Sequence, residues 1–208
     1  MHSTKRFLLK KGLGLTCVTN TQCKTSCLSA MFQLPLDSEG RSLSALLPYV
    51  LRVSCRDFPG QQAVAAQLDE LYGARVEPII RKRGEAQMIG FAADVIDEHF
   101  AMRGDTGLFA NTAQMMARIL LHPGEFTAEN VAREAAQLCA RIAALPDDKR
   151  TWAVRRMYQH LCDEEAFRLV ELGDMEEIRR AAPEQLMAHY QNILQTAPLE
   201  LFYCGSLD

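Results

Sequence analysis

An excess of charge of either sign is missing from this sequence: 23 Lys and Arg stand against 26 Asp and Glu, a net of −3. That balance offers no general attraction to nucleic acid or to an anionic membrane, so neither is expected as a partner. No apolar run reaches the roughly 18 residues a membrane-spanning helix needs. The opening "MHSTKRFLLKKGLG" has basic residues but only Phe7, Leu8 and Leu9 as an apolar run, too short for the hydrophobic region of a secretory signal. The expected compartment is therefore the cytoplasm. The seven cysteines (Cys17, Cys23, Cys27, Cys55, Cys139, Cys162 and Cys204) are odd in number and form no C-x-x-C pair, which argues against a disulfide framework or a zinc ribbon. Cys23 and Cys27 are read as reduced thiols on one strand face.

Recognisable catalytic signatures are also missing. "KKGLG" lacks the spacing and the following helix of a phosphate loop. There is no G-x-S-x-G elbow. The histidines (His2, His99, His122, His160 and His189) include no pair three to five residues apart, so no local two-histidine metal motif exists. The nearest thing to a ligand cluster is "QHLCDEEAF", with His160, Cys162, Asp163, Glu164 and Glu165. Adjacent residues at a helix end point in different directions, so the expected reading is a solvated acidic loop. The tip "RKRGE", with Arg81, Lys82 and Arg83, is likewise expected to be a solvated hairpin end rather than a phosphate site. The single tryptophan, Trp152, is expected to anchor the core.

What is present is a folded α+β pattern. Hydrophobic residues make up 48% of 208, enough for one sizeable core. "LGLTCVTN" (13–20) and "KTSCLSAMFQLPL" (24–36) read as a strand pair. Ser38 and Ser42 are candidate caps for the next helix. "GQQAVAAQLDELYG" reads as a helix with Ala63, Val64, Leu68, Leu71 and Tyr72 on one side and Gly73 as its stop. "ARVEPIIRKRGEAQMIGFAADV" reads as a hairpin turning at Gly84. Helices then dominate: one ending before Pro123, one opening at Thr127, one capped by Asp147 or Asp148, and a last one beginning at Pro183. "PLELFYCG" closes the chain as a strand. Grouped rather than alternating helices predict a two-layer α+β sandwich, with a mixed or antiparallel sheet of five to six strands covered by helices.

One segment resists this reading. In "SLSALLPYVLRVS" (42–54), Leu43, Leu46, Leu47, Val50 and Leu51 recur at helical spacing, yet Pro48 sits among them. A proline inside a helix costs about 3 kcal/mol or more. A helix starting late, with Pro48 in its first turn, or one kinked there, is expected.

The order of phrases resembles the insulinase/pitrilysin-type zinc peptidases, the inverzincins, over nearly the whole chain. "MFQLPLDSEG" followed by "SALLPYVLRVS" resembles their strand pair and zinc helix. "AQLDELYGARVEP" resembles their helix-to-strand step, and "EFTAENVAREAAQLCARIAALPDDK" their glutamate-bearing helix. "RLVELGDMEEIRRAAPEQLMAHYQNILQTAPLELFYCG" resembles their closing helices and strand. The family's H-x-x-E-H falls on "ALLPY". The resemblance thus puts Ala45 and Tyr49 where histidine ligands would stand and Pro48 where the general base would stand. Glu134 matches an acidic position of the later helix, and Arg141 takes the place of the glutamate ligand. Ala45 and Pro48 have no donor atoms, Tyr49 is a poor ligand at neutral pH, and a guanidinium repels a metal. No zinc, no cofactor and no hydrolysis are expected.

The resemblance therefore implies a catalytically inactive peptidase-like domain spanning 1–208, the N-terminal half of a longer two-domain chain. Its implied partners are a catalytic insulinase-family zinc peptidase subunit, or a second copy of itself, and peptides held in a shared chamber. The strand after Gly73, with Ala74, Arg75, Val76 and Glu77, is the implied peptide-binding edge; Pro78 suits an edge because it cannot donate to a neighbour. Two alternatives stand beside this reading: an active metal peptidase using the His160–Glu165 cluster, and a free-standing protein-interaction domain.

Overall fold

The computed structural model describes residues 3–37, 39–102 and 106–207. Ser38, a candidate cap, and His2 lie outside the described residues. The chain forms β1 (Ser3–Lys10), β2 (Leu13–Thr19), β3 (Thr25–Pro35), α1 (Arg41–Val53), α2 (Gln61–Glu70), β4 (Arg75–Arg83) and β5 (Ala86–Ile96). Then follow α3 (Leu108–Leu121), α4 (Ala128–Ala144), α5 (Lys149–Leu161), α6 (Met175–Arg179), α7 (Pro183–Thr196) and β6 (Leu199–Gly205). The strands form one six-stranded sheet in the order β1-β2-β6-β3-β5-β4. Only β2 and β6 run parallel, so the sheet is mixed, as expected for an α+β sandwich.

Two features of the sheet differ from the sequence reading. The N-terminal segment is a strand, β1, paired with β2 around Gly12 (φ +79°). Its eight residues are all exposed and rich in Lys and Arg, so no alternating apolar face announced it. In addition, β2 and β3 do not pair. Strand β6 returns from the end of the chain and lies between them, with Cys17 opposite Tyr203 on one side and Leu28 opposite Tyr203 on the other. Long-range pairing of this kind leaves no local signal.

The helices cover one face. Ala30 and Phe32 of β3, Val76 of β4, and Ile89, Phe91 and Ala93 of β5 pack against Leu46, Leu47, Val50 and Leu51 of α1 and against Met115, Ile119, Leu138, Ile178, Leu186 and Ile193 of the other helices. At Gly90 in β5 a Cβ would strike the carbonyl oxygen of Ala30 on β3, so the close approach of these central strands requires glycine there.

Helix α1 does not start late. It runs from Arg41 to Val53 with Pro48 in its interior, and its N-cap is Gly40 (φ +81°). Ser42, the other candidate cap, lies inside the first turn instead. Its hydroxyl donates to Glu177 and accepts from the Asp174 amide. Packing explains why the proline is tolerated. Ala45, Leu46, Leu47 and Leu51 are each 2% exposed or less, and burying one such leucine yields about 1.5–3 kcal/mol. A few of these burials together outweigh the roughly 3 kcal/mol proline penalty.

Other expected features fall in place or shift locally. Thr127 caps α4 by accepting from the Asn130 amide, and Asp148 caps α5 by accepting from the Thr151 amide. Tyr72 is not on the buried side of α2. The helix ends at Glu70, and Tyr72 follows in a left-handed conformation (φ +61°), 40% exposed. Trp152 is half-buried on α5, a helix with no buried residue, so it does not anchor the core. Cys23 precedes β3 rather than sharing its face, and its sulfur accepts from Asn20 Nδ2. Cys27 instead lies opposite Cys204, and burial, with Asp94 beside it, pushes its thiol pKa up to about 11.

Gly90→Ala is expected to destabilise the protein by about 3 kcal/mol, since a central strand must move. Chemical denaturation of the purified variant checks this.

Candidate functional site

Residues on successive turns of α1 reach different elements of the fold, and together they build the region where the sequence points to a site. Ala45 is fully buried and Pro48 is buried beside it. Tyr49, one position on, is half-buried, and the Arg141 guanidinium of α4 lies 4.5 Å from its ring centroid. This is a cation–π contact, worth about 0.5–1 kcal/mol at an exposed site. Positions 134, 138 and 141 share one stripe of α4. Leu138 and Glu134 on it are buried, and Glu134 pairs with Arg133 Nε at 3.2 Å.

These residues do not fit a zinc ion. Ala45 and Pro48 offer no donor atom, and the contact made by Tyr49 is to a fixed positive charge. Among the described residues, no group of three His, Cys, Asp or Glu side chains is placed to hold a metal. The 160–165 cluster does not converge: His160 meets Arg156 at 3.2 Å, and Asp163 pairs with Arg168 at 3.1 Å.

The edge strand expected from sequence is at an edge. Strand β4 pairs only with β5, and Pro78 lies opposite Phe91. Of the named residues, Arg75, Val76 and Glu77 belong to β4, whereas Ala74 lies before it and donates its amide to Leu68 and Leu71. Arg52, three residues beyond Tyr49 on α1, pairs with Glu77 at 2.8 Å. Between β4 and α2 lies an open cleft of about 320 Å³, lined by Val64, Ala65, Leu68, Ala74, Val76 and the Arg52–Glu77 pair, among others. The sequence reading missed this cleft. Its apolar lining comes from the helical repeat of α2, which pointed only to a buried face.

The hairpin tip is only partly solvated: Lys82 departs from the expectation. Lys82 Nζ donates to the Phe167 and Leu169 carbonyls at 2.7 and 3.1 Å and lies 4.2 Å from the Phe167 ring centroid. Burial lowers its pKa, with Glu171 opposing the shift. Arg155 pairs with Glu171 at 2.9 Å, and fully buried Gln87 donates to the Glu171 and Arg41 carbonyls. The 162–174 segment therefore folds over the tip and covers its helix side. Gly173 lets that segment pass close to α1, since a Cβ there would lie 2.6 Å from Ser42 Cα. Arg81 and Arg83 stay exposed.

A contact with no sequence signal joins α1 to α7: Ser44 Oγ and His189 Nε2 lie 2.7 Å apart. Burial lowers the His189 pKa, and the charge of Asp37 partly offsets it. Neutral His189 therefore favours the folded state. Its contribution is complete above the unfolded pKa of about 6.5 and is lost as pH falls through the depressed folded value.

The sheet order and the helical layer define a two-layer α+β domain with an open edge at β4. No family model matches the sequence. The probable inactive metalloprotease YmfF of Bacillus subtilis is 29% identical over 201 residues, covering 95% of this chain and 47% of the relative. Among solved structures, a conserved protein from Enterococcus faecalis superposes with a TM-score of 0.87 at 23% identity, over 99% of this chain and 49% of that one. A peptidase M16 inactive domain from Pseudomonas fluorescens gives 0.73 at 14%, over 99% and 47%. The periplasmic protease PqqL of Escherichia coli gives 0.76 at 15%, over 99% and 22%. The chain is thus similar to a probable inactive metalloprotease and shares its fold with halves of M16-type peptidases, and its sequence contains no H-x-x-E-H segment. It spans about half the length of the curated relative it matches.

Stability is expected to fall as pH drops below about 6.5, and His189→Gln to flatten that slope. Thermal melts of both proteins between pH 7.5 and 5 measure it.

Proposed function

We propose that this domain is a non-catalytic partner of an insulinase-type zinc peptidase and holds peptides along the free edge of β4. The observation that carries the reading is the pairing of two features around α1. The motif positions Ala45, Pro48, Tyr49 and Arg141 are given over to packing and a cation–π contact, while the neighbouring edge strand keeps an open cleft of mixed apolar and charged lining. An edge strand binds an extended peptide through main-chain hydrogen bonds and needs no catalytic side chain. We read the domain as one half of a two-domain chain, acting in the cytoplasm beside a subunit with an intact H-x-x-E-H helix.

Elemental analysis of the purified protein is expected to find zinc far below one equivalent. One equivalent of zinc, lost in His160→Ala or Cys162→Ala, overturns the reading in favour of a metal peptidase with an unusual site. Co-expression with a homologue carrying H-x-x-E-H is expected to give a co-eluting complex. Separate elution of two folded proteins points instead to a free-standing interaction domain.

A further inference from the structure

The charge along β4 departs from that of the whole chain. The protein carries a net −3, yet β4 alone holds Arg75, Arg81, Lys82 and Arg83 against the single acid Glu77. These charges are sorted by face. Strand alternation places Val76, Pro78, Ile80 and Lys82 on the helix side and Arg75, Glu77, Ile79, Arg81 and Arg83 on the other. Lys82 is occupied by the Phe167 and Leu169 carbonyls. Glu77 is held by Arg52. Asp94, across β5 from Arg75, hydrogen-bonds Cys27. No carboxylate among the described residues lies within salt-bridge distance of Arg75, Arg81 or Arg83, and all three are exposed. On the helix side the same strand borders the cleft, where Val64, Ala65, Leu68 and Val76 are apolar, Asp69 is acidic, and Arg75 and the Arg52–Glu77 pair also contribute to the lining at the strand's edge.

A strand added beside β4 alternates its side chains in the same way. One set lies across from the free arginines, and the other enters the cleft. Opposite charges directly across two strands stabilise the pair, and like charges destabilise it. Resting on the reading of β4 as the peptide-binding edge, we infer that this edge selects extended peptide segments in which acidic residues alternate with apolar ones. The acidic side chains meet Arg75, Arg81 and Arg83, and the apolar ones fill the cleft against Val64, Leu68 and Val76. The other free edge, β1, also carries cations, Lys5, Arg6 and Lys10, but all of its residues are exposed. It therefore supplies no buried position for the apolar set.

Fluorescence anisotropy with labelled, N-acetylated, C-amidated octapeptides tests this. One peptide alternates Glu and Val, one Lys and Val, and one Glu and Ser. The Glu/Val peptide is expected to bind at least about tenfold more tightly than either other peptide, with an affinity that falls as salt rises. Reversing Arg75, Arg81 and Arg83 to Glu is expected to invert the Glu/Val against Lys/Val preference. Ala65→Arg, at an exposed cleft position, is expected to remove binding of both while leaving the melting temperature unchanged. Equal binding of Glu/Val and Lys/Val, unchanged by the reversal but lost in Ala65→Arg, overturns the acidic preference and leaves the edge reading standing. No binding by any peptide, or binding indifferent to both sets of substitutions, overturns the edge reading and the inference together.

Discussion

Burial of α1 beneath the other helices and against β4 and β5 is the constraint on which the remaining geometry depends. The helix touches α2, α3, α4, α6 and α7 as well as both strands. Along it, successive side chains fasten different parts of the fold. Ser42 meets α6 at Glu177 and its cap at Asp174, Ser44 meets His189 of α7, Tyr49 meets Arg141 of α4, and Arg52 meets Glu77 of β4. Each polar contact by itself is worth about 1 kcal/mol. What holds them in register is the apolar stripe of Leu46, Leu47, Val50 and Leu51, almost fully removed from water. Pro48 survives in mid-helix because that burial outweighs the hydrogen bond it removes.

Chemistry and packing have exchanged roles in this region. A catalytic zinc helix presents imidazoles and a carboxylate to a wet, open coordination position. Here the corresponding stretch presents a methyl, a pyrrolidine ring and a phenol, and the facing helix contributes a cation lying over that phenol. The positive charge there is a guanidinium resting on the Tyr49 ring, which neither activates water nor polarises a carbonyl. The edge strand and its cleft need none of that chemistry. The proposed binding rests on unpaired main-chain groups of the edge and on the side chains of the cleft, neither of which depends on an H-x-x-E-H segment.

How legible each part was follows from how local its cause is. The hairpin at Gly84, the caps at Thr127 and Asp148 and the start of α7 at Pro183 each rest on a residue acting on its own neighbours, and each was readable. Strand β1 was not, because an edge strand exposed on all its residues carries no alternation. The solvated reading of Lys82 failed for a different reason. Its partners are carbonyls more than eighty residues away, and a carbonyl has no side-chain identity to read. Trp152 shows the converse. A large aromatic suggests a core, but α5 buries none of its residues.

By itself, the sequence determined the types of the main helices and of the strands other than β1, the grouped α+β layering and the absence of an H-x-x-E-H segment, because these depend on composition, spacing and residue chemistry. The tertiary structure decided that β6 separates β2 from β3, that Pro48 lies inside a continuous helix, and that Arg141 rests on Tyr49. It also decided that β4, with its three exposed arginines, is an open edge beside a cleft formed with α2. Each of these depends on which distant segments are brought together. That is settled by the burial of one apolar face against another, not by any residue's local preference.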